Sequence, residues 1–127
     1  MHLLDTSVLI PLRDGDSTVW ERVNQLSGPI FVSIVSVVEL EGGVYRDAAQ
    51  AERRRAKLDL LLSSLNILAF DLESAQTYGQ IVASAGYSRR KILDRMIAAQ
   101  ALNAKATLVT LNPQDFEEVT GLQVLGW

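Results

Sequence analysis

The sequence predicts an α/β fold, specifically a three-layer α/β/α sandwich around a central, mostly parallel sheet. Short apolar runs typical of buried strands alternate with longer segments of helical periodicity. Strands that alternate with helices pair in parallel, and the helices cover both faces of the sheet. The chain has 127 residues, of which 48% are hydrophobic. This size and apolar content predict a single domain over residues 1–127.

The first strand is predicted at Met1–Leu4, an apolar run that stops at Asp5. Two short helices follow, separated by Asp14–Asp16, which breaks the helical pattern. Hydroxyl residues suited to N-caps precede the apolar residues of each helix. The expected caps are Thr6 or Ser7 for the first helix and Ser17 or Thr18 for the second.

The middle of the chain alternates a strand with longer helices. Gly28-Pro29 precedes the apolar run Ile30–Val32, which is the second predicted strand. Ser33–Tyr45 is predicted to be helical because apolar and small residues repeat at helical spacing, although its valines also suit a strand. Ala48–Leu65 has leucines on one side and arginines on another, which indicates an amphipathic helix.

The last part of the chain completes the alternation. It predicts a strand at 66–70, a helix capped by Asp71 and ended by Gly86, a helix at 92–104, a strand at 107–110, a turn of helix at 112–116 and a strand at 122–125. Four segments of strand character therefore precede the final one, each separated by helical sequence, as a parallel sheet requires.

Composition narrows the function classes. The chain has no cysteine, which excludes disulfides and thiolate metal sites and favours a reducing cytoplasm. No signal peptide or membrane-spanning run is evident, so we expect a soluble, cytoplasmic protein. The net charge of −3 is not typical of a general nucleic-acid binder. The basic residues are nevertheless clustered, at 53–57 and 89–91, and a bound divalent cation would add positive charge.

Acidic residues follow two of the predicted strands. Asp5 ends the first strand, and Thr110, Asn112 and Asp115 lie at or just beyond the end of the fourth. Ligands of open α/β sheets bind at the carboxyl ends of the strands, so one edge would collect these side chains. Helix capping would explain Asp5 equally well without any chemistry.

Asp94 and Glu39 stand on helix faces that are otherwise apolar or small. Asp94 shares a helical row with Ile97, Ala98 and Ala101. An unpaired buried carboxylate is costly, so Asp94 requires a metal ion or a basic partner, for which Arg90 and Arg95 are the candidates, unless the helix turns it into solvent. Glu39 lies among small residues that leave room for a metal or a substrate, but a solvated surface glutamate has the same pattern.

The available ligands are oxygen atoms. A site built from carboxylates without Cys or paired His suits Mg²⁺, with Mn²⁺ as a substitute, and does not suit zinc. His2 is the only histidine, so a mechanism that needs two histidines has no candidates.

Four segments in this order resemble the PIN-domain family, and in particular its VapC-type toxins of type II toxin–antitoxin pairs. They are Leu4-Asp5-Thr6-Ser7-Val8-Leu9-Ile10, Ser36-Val37-Val38-Glu39-Leu40, Asp94-Arg95-Met96-Ile97-Ala98-Ala99 and Leu108-Val109-Thr110-Leu111-Asn112-Pro113-Gln114-Asp115-Phe116. Each motif is weakly specific, but four at fitting spacings across nearly the whole chain are a strong signal. One departure is Ile92-Leu93, where many members of the family are more polar.

The resemblance implies a metal-dependent endoribonuclease. It assigns Asp5, Glu39 and Asp94 as catalytic and metal-binding acids, and the fourth acidic position to Asp115, with Asn112 as the alternative. Supporting polar groups are implied at Thr6, Ser7, Thr110 and Asn112. A metal-activated water would cleave the phosphodiester and leave a 5′-phosphate. Possible RNA contacts are Arg89, Arg90 and Lys91, although a solvated loop is the simpler reading.

The resemblance also implies partners. They are a structured tRNA or rRNA as substrate, a second copy of the chain in a homodimer, and a VapB-type antitoxin whose basic side chain fills the acidic pocket. Contact with DNA would occur only through the antitoxin, and no contact with a membrane is expected.

Three other functions use similar patterns. A phosphoacceptor receiver domain would need adjacent acids after the first strand and a lysine after the last strand, and this chain has neither. A haloacid-dehalogenase-type phosphatase would need a second aspartate where Ser7 stands. A catalytically inactive RNA- or protein-binding α/β module is disfavoured because all the acids are present.

Overall fold

The computed structural model describes residues 1–127 and contains one five-stranded sheet in the order β3-β2-β1-β4-β5. The strands are β1 (His2–Leu4), β2 (Ile30–Ser33), β3 (Asn66–Leu68), β4 (Thr107–Thr110) and β5 (Val124–Gly126). The helices are α1 (Thr6–Arg13), α2 (Ser17–Asn24), α3 (Ile34–Tyr45), α4 (Ala51–Leu62), α5 (Leu72–Ala85) and α6 (Ile92–Ala104). Every strand pair is parallel, so the predicted α/β/α architecture is confirmed.

The strands alternate their side chains between two separate hydrophobic cores. Leu4 and Val109 face the core that includes residues of α1, α2 and α4. Leu3 and Leu108 face the opposite core, which includes residues of α5 and α6. Successive strand side chains point to opposite faces, so these adjacent apolar pairs bury the central strands from both sides. Because both faces of the central strands are buried, these strands are continuous apolar runs in the sequence.

The predicted caps of the first two helices were wrong. Asp5, not Thr6 or Ser7, occupies the N-cap position of α1. Asp16, not Ser17 or Thr18, caps α2, and its carboxylate accepts a hydrogen bond of 3.1 Å from the Val19 N–H. In each case an aspartate precedes the hydroxyl residues, and both residue types make good N-caps, so sequence preference did not separate them.

Three further elements have bounds that differ from the prediction. The helix expected at 48–65 is shorter, because Ala48–Gln50 forms a 3₁₀ turn before α4. The helix ends at Leu62, where the hydroxyls of Ser63 and Ser64 donate to carbonyls of the last turn. The third strand ends at Leu68 instead of residue 70. The last strand begins at Val124, because Leu122 packs against the core beside α5 and α6 instead of pairing in the sheet.

No helix has the length and apolar character needed to cross a membrane.

Candidate active site

The winding of the sheet changes direction between β1 and β4. β2 and β3 lie on one side of β1, and β4 and β5 lie on the other. In open α/β sheets, the carboxyl ends of the strands at such a reversal form the usual binding crevice. Asp5 directly follows β1 and Thr110 ends β4, and the Asp5 N–H donates to the Val109 carbonyl at 2.9 Å. The topology therefore places both residues at the crevice, as the sequence predicted.

Asp5 does not cap α1, although it occupies the N-cap position, because its carboxylate makes no hydrogen bond to the helix backbone. Instead its Oδ2 accepts two hydrogen bonds of 2.8 Å, from the hydroxyls of Ser7 and Thr110. The residue is only 4% exposed. None of the side-chain hydrogen bonds uses Oδ1. The capping explanation is therefore wrong, and one carboxylate oxygen is left for another ligand.

The two hydroxyls that hold Asp5 are themselves held by backbone amides. The Leu111 N–H donates to Ser7 Oγ and the Asn112 N–H donates to Thr110 Oγ1, both at 3.0 Å. A hydroxyl that accepts from an amide has its proton free to donate. Each hydroxyl therefore accepts from a backbone N–H and donates to Asp5, which fixes the carboxylate in place. These contacts support the polar roles predicted for Ser7 and Thr110.

We expect Thr110→Val to lower the free energy of unfolding by about 1–3 kcal/mol, because the part-buried Asn112 N–H loses its acceptor and Asp5 Oδ2 loses one of its two donors. Valine keeps the methyl group of threonine and nearly the same volume, so packing changes little. Chemical denaturation measures the effect, with Thr110→Ser as the control that keeps the hydroxyl and loses the methyl. A Thr110→Val variant that is no less stable than Thr110→Ser would show that these hydrogen bonds do not account for the stability.

Glu39 is held toward the same crevice from α3. Thr6 Oγ1 donates to Glu39 Oε1 at 2.9 Å, and the hydroxyls of Thr6 and the buried Ser36 lie 2.8 Å apart. Burial raises the pKa of Glu39, the Thr6 hydrogen bond opposes this shift, and the charge of Asp5 raises the pKa further. Glu39 is therefore not a freely solvated glutamate. Glu41, by contrast, forms an ion pair with Arg55 of α4, away from the crevice.

Asp94 lies in the first turn of α6 and has no ion-pair partner. Arg95, the expected neutralising candidate, is buried and donates instead to the Gly86 carbonyl and, at 2.9 Å, to Glu118. Arg90 is exposed and forms no ion pair either. The explanation that a neighbouring arginine satisfies Asp94 is therefore wrong.

The electrostatics of Asp94 link all four predicted acids. Burial and, in decreasing order, the charges of Asp5, Asp115 and Glu39 together raise the pKa of Asp94 to about 6, against a smaller opposing effect of Lys91. A charge affects a neighbour's pKa only over short distances in protein surroundings, so the three other acids lie near Asp94 at the same crevice. Asp115 lies in the 3₁₀ turn Pro113–Phe116.

Asn112 makes its described contacts through the backbone, donating to Thr110 and accepting from the Asp115 N–H. It therefore shapes the turn that presents Asp115, and Asp115 supplies the charge at the fourth position.

The sequence did not predict a role for Glu118. This residue forms ion pairs with Arg95, at 2.9 Å, and with Lys91, at 3.4 Å. Its ion pair with Arg95 holds that guanidinium away from Asp94. Nothing in the local sequence marks Glu118, since it lies in a loop with other acids. Leu93, where the chain departs from the family pattern, is 43% exposed and lines the rim beside Glu39.

The acids fit a hard divalent cation in charge and ligand type. All four are carboxylates, and a bound cation would relieve the repulsion that the other three exert on Asp94. No three acidic side chains converge closely enough to enclose an ion by themselves. Mg²⁺ is commonly held through one or two carboxylates and several waters, so this open arrangement suits it. Asp5 Oδ1, Glu39 Oε2 and the carboxylates of Asp94 and Asp115 take part in no hydrogen bond or ion pair, so they are the ligands that the contacts leave available.

Comparison with known proteins agrees with this geometry. The family model described as PIN domain matches residues 2–122. The chain is a PIN domain. Within the family it resembles the tRNA(fMet)-specific endonuclease VapC of Shigella flexneri, at 31% identity over 98% of this chain and 96% of the relative. It also resembles ribonuclease VapC1 of Rickettsia felis, at 32% identity over 97% and 93% of the two chains.

The fold of this PIN domain is also similar to a solved VapC-type structure. The crystal structure of VapBC2 from Rickettsia felis, bound to a DNA fragment from its promoter, matches with a TM-score of 0.87 and 25% identity over 99% of this chain and 98% of that one. The predicted membership of the VapC group is therefore confirmed.

Proposed function

We propose that this PIN domain is the Mg²⁺-dependent endoribonuclease toxin of a type II toxin–antitoxin pair. The observation that supports the proposal best is the shared electrostatics of Asp5, Glu39, Asp94 and Asp115 at the reversal point of the sheet. A surface of four mutually repelling carboxylates is unfavourable without a cation, and a fold keeps it where the cation is used. The ribonuclease names of the VapC relatives supply the reaction class.

In this proposal Asp5 and Asp94 would hold the cation, and Glu39 and Asp115 would hold its waters. Ser7 and Thr110 keep Asp5 Oδ2 occupied, so that Oδ1 is left for the ligand. Thr6 holds Glu39 in the same way, by donating to its Oε1. When bound, Mg²⁺ would lower the pKa of a water and neutralise charge that develops on the phosphoryl oxygens. The carboxylates would orient the attacking water toward phosphorus, and the P–O3′ bond would break as the new P–O bond forms, which leaves a 5′-phosphate and a 3′-hydroxyl.

The partners follow from the VapC relatives. A structured tRNA or rRNA site is the proposed substrate class, and a VapB-type antitoxin is the proposed inhibitor, because the solved neighbour is a VapBC complex. A basic side chain of the antitoxin would neutralise the same carboxylates that bind the cation. DNA would be reached only through that antitoxin. The proposed compartment is the cytoplasm.

A homodimer is proposed from exposed apolar side chains on the helices. Val38 and Tyr45 of α3 are each 65% exposed, Leu60 of α4 is 75% exposed and Leu72 of α5 is 74% exposed. Val38 and Tyr45 are seven residues apart and therefore share one face of α3, and an exposed apolar face of this kind is what a second copy of the chain would cover.

Incubation of the purified protein with total RNA, in Mg²⁺ and then in EDTA, tests the proposal. We expect endonucleolytic fragments with 5′-phosphates in Mg²⁺, none in EDTA, and activity restored by Mn²⁺. End-specific labelling identifies the termini. Cleavage that persists in EDTA, or products with 2′,3′-cyclic phosphates, would contradict the metal-activated water mechanism, because these require the RNA 2′-hydroxyl as nucleophile.

A further inference from the structure

A basic surface adjoins the acidic crevice on its Glu39 side. We call this surface the basic shelf; it consists of Arg13, Arg46, Arg53, Arg54 and Lys57. These five cations come from the ends of α1 and α3 and from α4. The chain has only 12 basic residues and a net charge of −3. Five of these 12 basic residues therefore cluster beside an acidic crevice that repels anions.

Two connected depressions form the shelf. One, of about 670 Å³, is lined by Glu39 and Thr6 of the crevice together with Arg13, Arg46 and Arg54. The next, of about 270 Å³, has no apolar lining and contains Arg13 and Arg54 again with Arg53 and Lys57. Because Arg13 and Arg54 line both depressions, the basic surface runs without interruption from the carboxylates to α4.

Three cations of the shelf are free to bind an external anion. Arg46, Arg53 and Lys57 take part in no ion pair. The other two cations of the shelf are held by contacts within the protein. Arg54 donates to the Gly43 carbonyl at 3.0 Å, and Arg13 forms an ion pair with Asp14. The nearby Arg55 is different, because Glu41 and Asp59 neutralise it.

We propose that the basic shelf binds the phosphate backbone of the RNA strand on one side of the scissile bond; this rests on the proposed ribonuclease function. A cation in the crevice offsets the charge of one phosphate only, and the flanking phosphates still meet Glu39 and Asp94. Free arginine and lysine side chains beside the crevice remove that repulsion. The depression formed by Arg13, Arg53, Arg54 and Lys57 has no apolar lining, so these cations contribute affinity through phosphate contacts, which do not select bases.

The test measures binding of a labelled single-stranded oligoribonucleotide in EDTA, at a series of KCl concentrations. The variants are Lys57→Gln and Arg46→Gln/Lys57→Gln. The matched control is Lys105→Gln, which removes the same charge at the amino ends of the strands, just before β4. Each lost phosphate contact makes the slope of log K against log [salt] shallower by about 0.7 for a single strand. We expect this slope to become shallower by about 0.7 for the single variant and by about 1.4 for the double variant, and to stay unchanged for the control.

Cleavage in Mg²⁺ is measured in parallel, where the loss should appear in KM. Slopes identical to wild type would overturn the shelf proposal even if the wild-type protein cleaves RNA. A wild-type protein that does not cleave, but shows the expected slopes, would overturn the ribonuclease function and leave the shelf as an RNA-binding surface. If the variants lose binding to an acidic antitoxin segment while the RNA slopes stay unchanged, the shelf is a protein-binding surface and the proposal fails.

Discussion

Asp94→Asn is expected to reduce Mg²⁺-dependent RNA cleavage by at least about a hundredfold, the scale of losing one electrostatic contact to a phosphoryl-transfer transition state. Asp94 has no protein cation as partner, because Arg95 is bound to Glu118. Its charge therefore serves the ligand in the crevice. The amide is nearly isosteric, so the fold should be retained. Initial rates on a fixed oligoribonucleotide measure the loss.

The same substitution should stabilise the metal-free protein. The pKa of Asp94 is about 6 in the folded state against an ordinary value of 3.8, so between these pH values the folded state binds more protons than the unfolded state. Stability therefore falls as pH rises through this range, and the penalty persists at pH 7. Removal of the charge should raise the free energy of unfolding by about 1 kcal/mol, after solvent screening at this partly exposed position, or Tm by about 3–4 °C.

These two effects together separate a metal ligand from a structural residue. A residue needed for folding would lose activity and stability together, whereas Asp94→Asn should lose activity and gain metal-free stability. Glu118→Gln is a useful comparison, because it releases Arg95 and Lys91 without touching the crevice acids. Lower stability of Asp94→Asn at pH 7 in EDTA would contradict the assignment.

Asp5→Asn is expected to cause a comparable loss of cleavage, again at least about a hundredfold. Its stability should change little, because the amide oxygen can accept from Ser7 and Thr110 as Oδ2 does now. Asp5→Ala should lose the same activity and in addition cost about 1–3 kcal/mol, since two buried hydroxyls lose their acceptor. Thermal unfolding and cleavage assays on both variants measure the contrast.

Appreciable cleavage by Asp5→Asn would contradict the proposed role of Asp5 Oδ1 as a metal ligand. Equal stability of the Ala and Asn variants would show that the hydroxyl network does not hold the carboxylate, and the preorganisation of the site would need another source.

Much of the fold follows from local sequence. The paired apolar positions Leu3-Leu4 and Leu108-Val109 define central strands because each pair must fill two cores. α6 has its predicted bounds, since Asp94 and the buried row Ile97, Ala98 and Ala101 repeat at helical spacing. Asp94 is likewise visible in the sequence, because an acid on an apolar helix face is rare unless it has a partner.

The remainder depended on contacts between distant segments. Thr110 lies more than a hundred residues from Asp5, and no local pattern shows that its hydroxyl holds that carboxylate. Arg95 is adjacent to Asp94 in sequence, yet the helix turns it toward Gly86 and Glu118. Local preference gave several possible N-caps, and only packing selects Asp16 for α2. Basic residues 53–57 also divide in space, with Arg55 neutralised and its neighbours on the shelf.

The central claim is that the four carboxylates of the crevice bind a divalent cation, and titration with Mn²⁺ monitored by electron paramagnetic resonance tests it most directly. Free Mn²⁺ gives the signal, so binding is measured without RNA or catalysis. The wild-type protein should bind Mn²⁺ and release it to excess Mg²⁺, and Asp94→Asn should bind at least about tenfold more weakly, the loss expected when a metal site is damaged. Equal binding by the two proteins, or none by the wild type, would contradict the account.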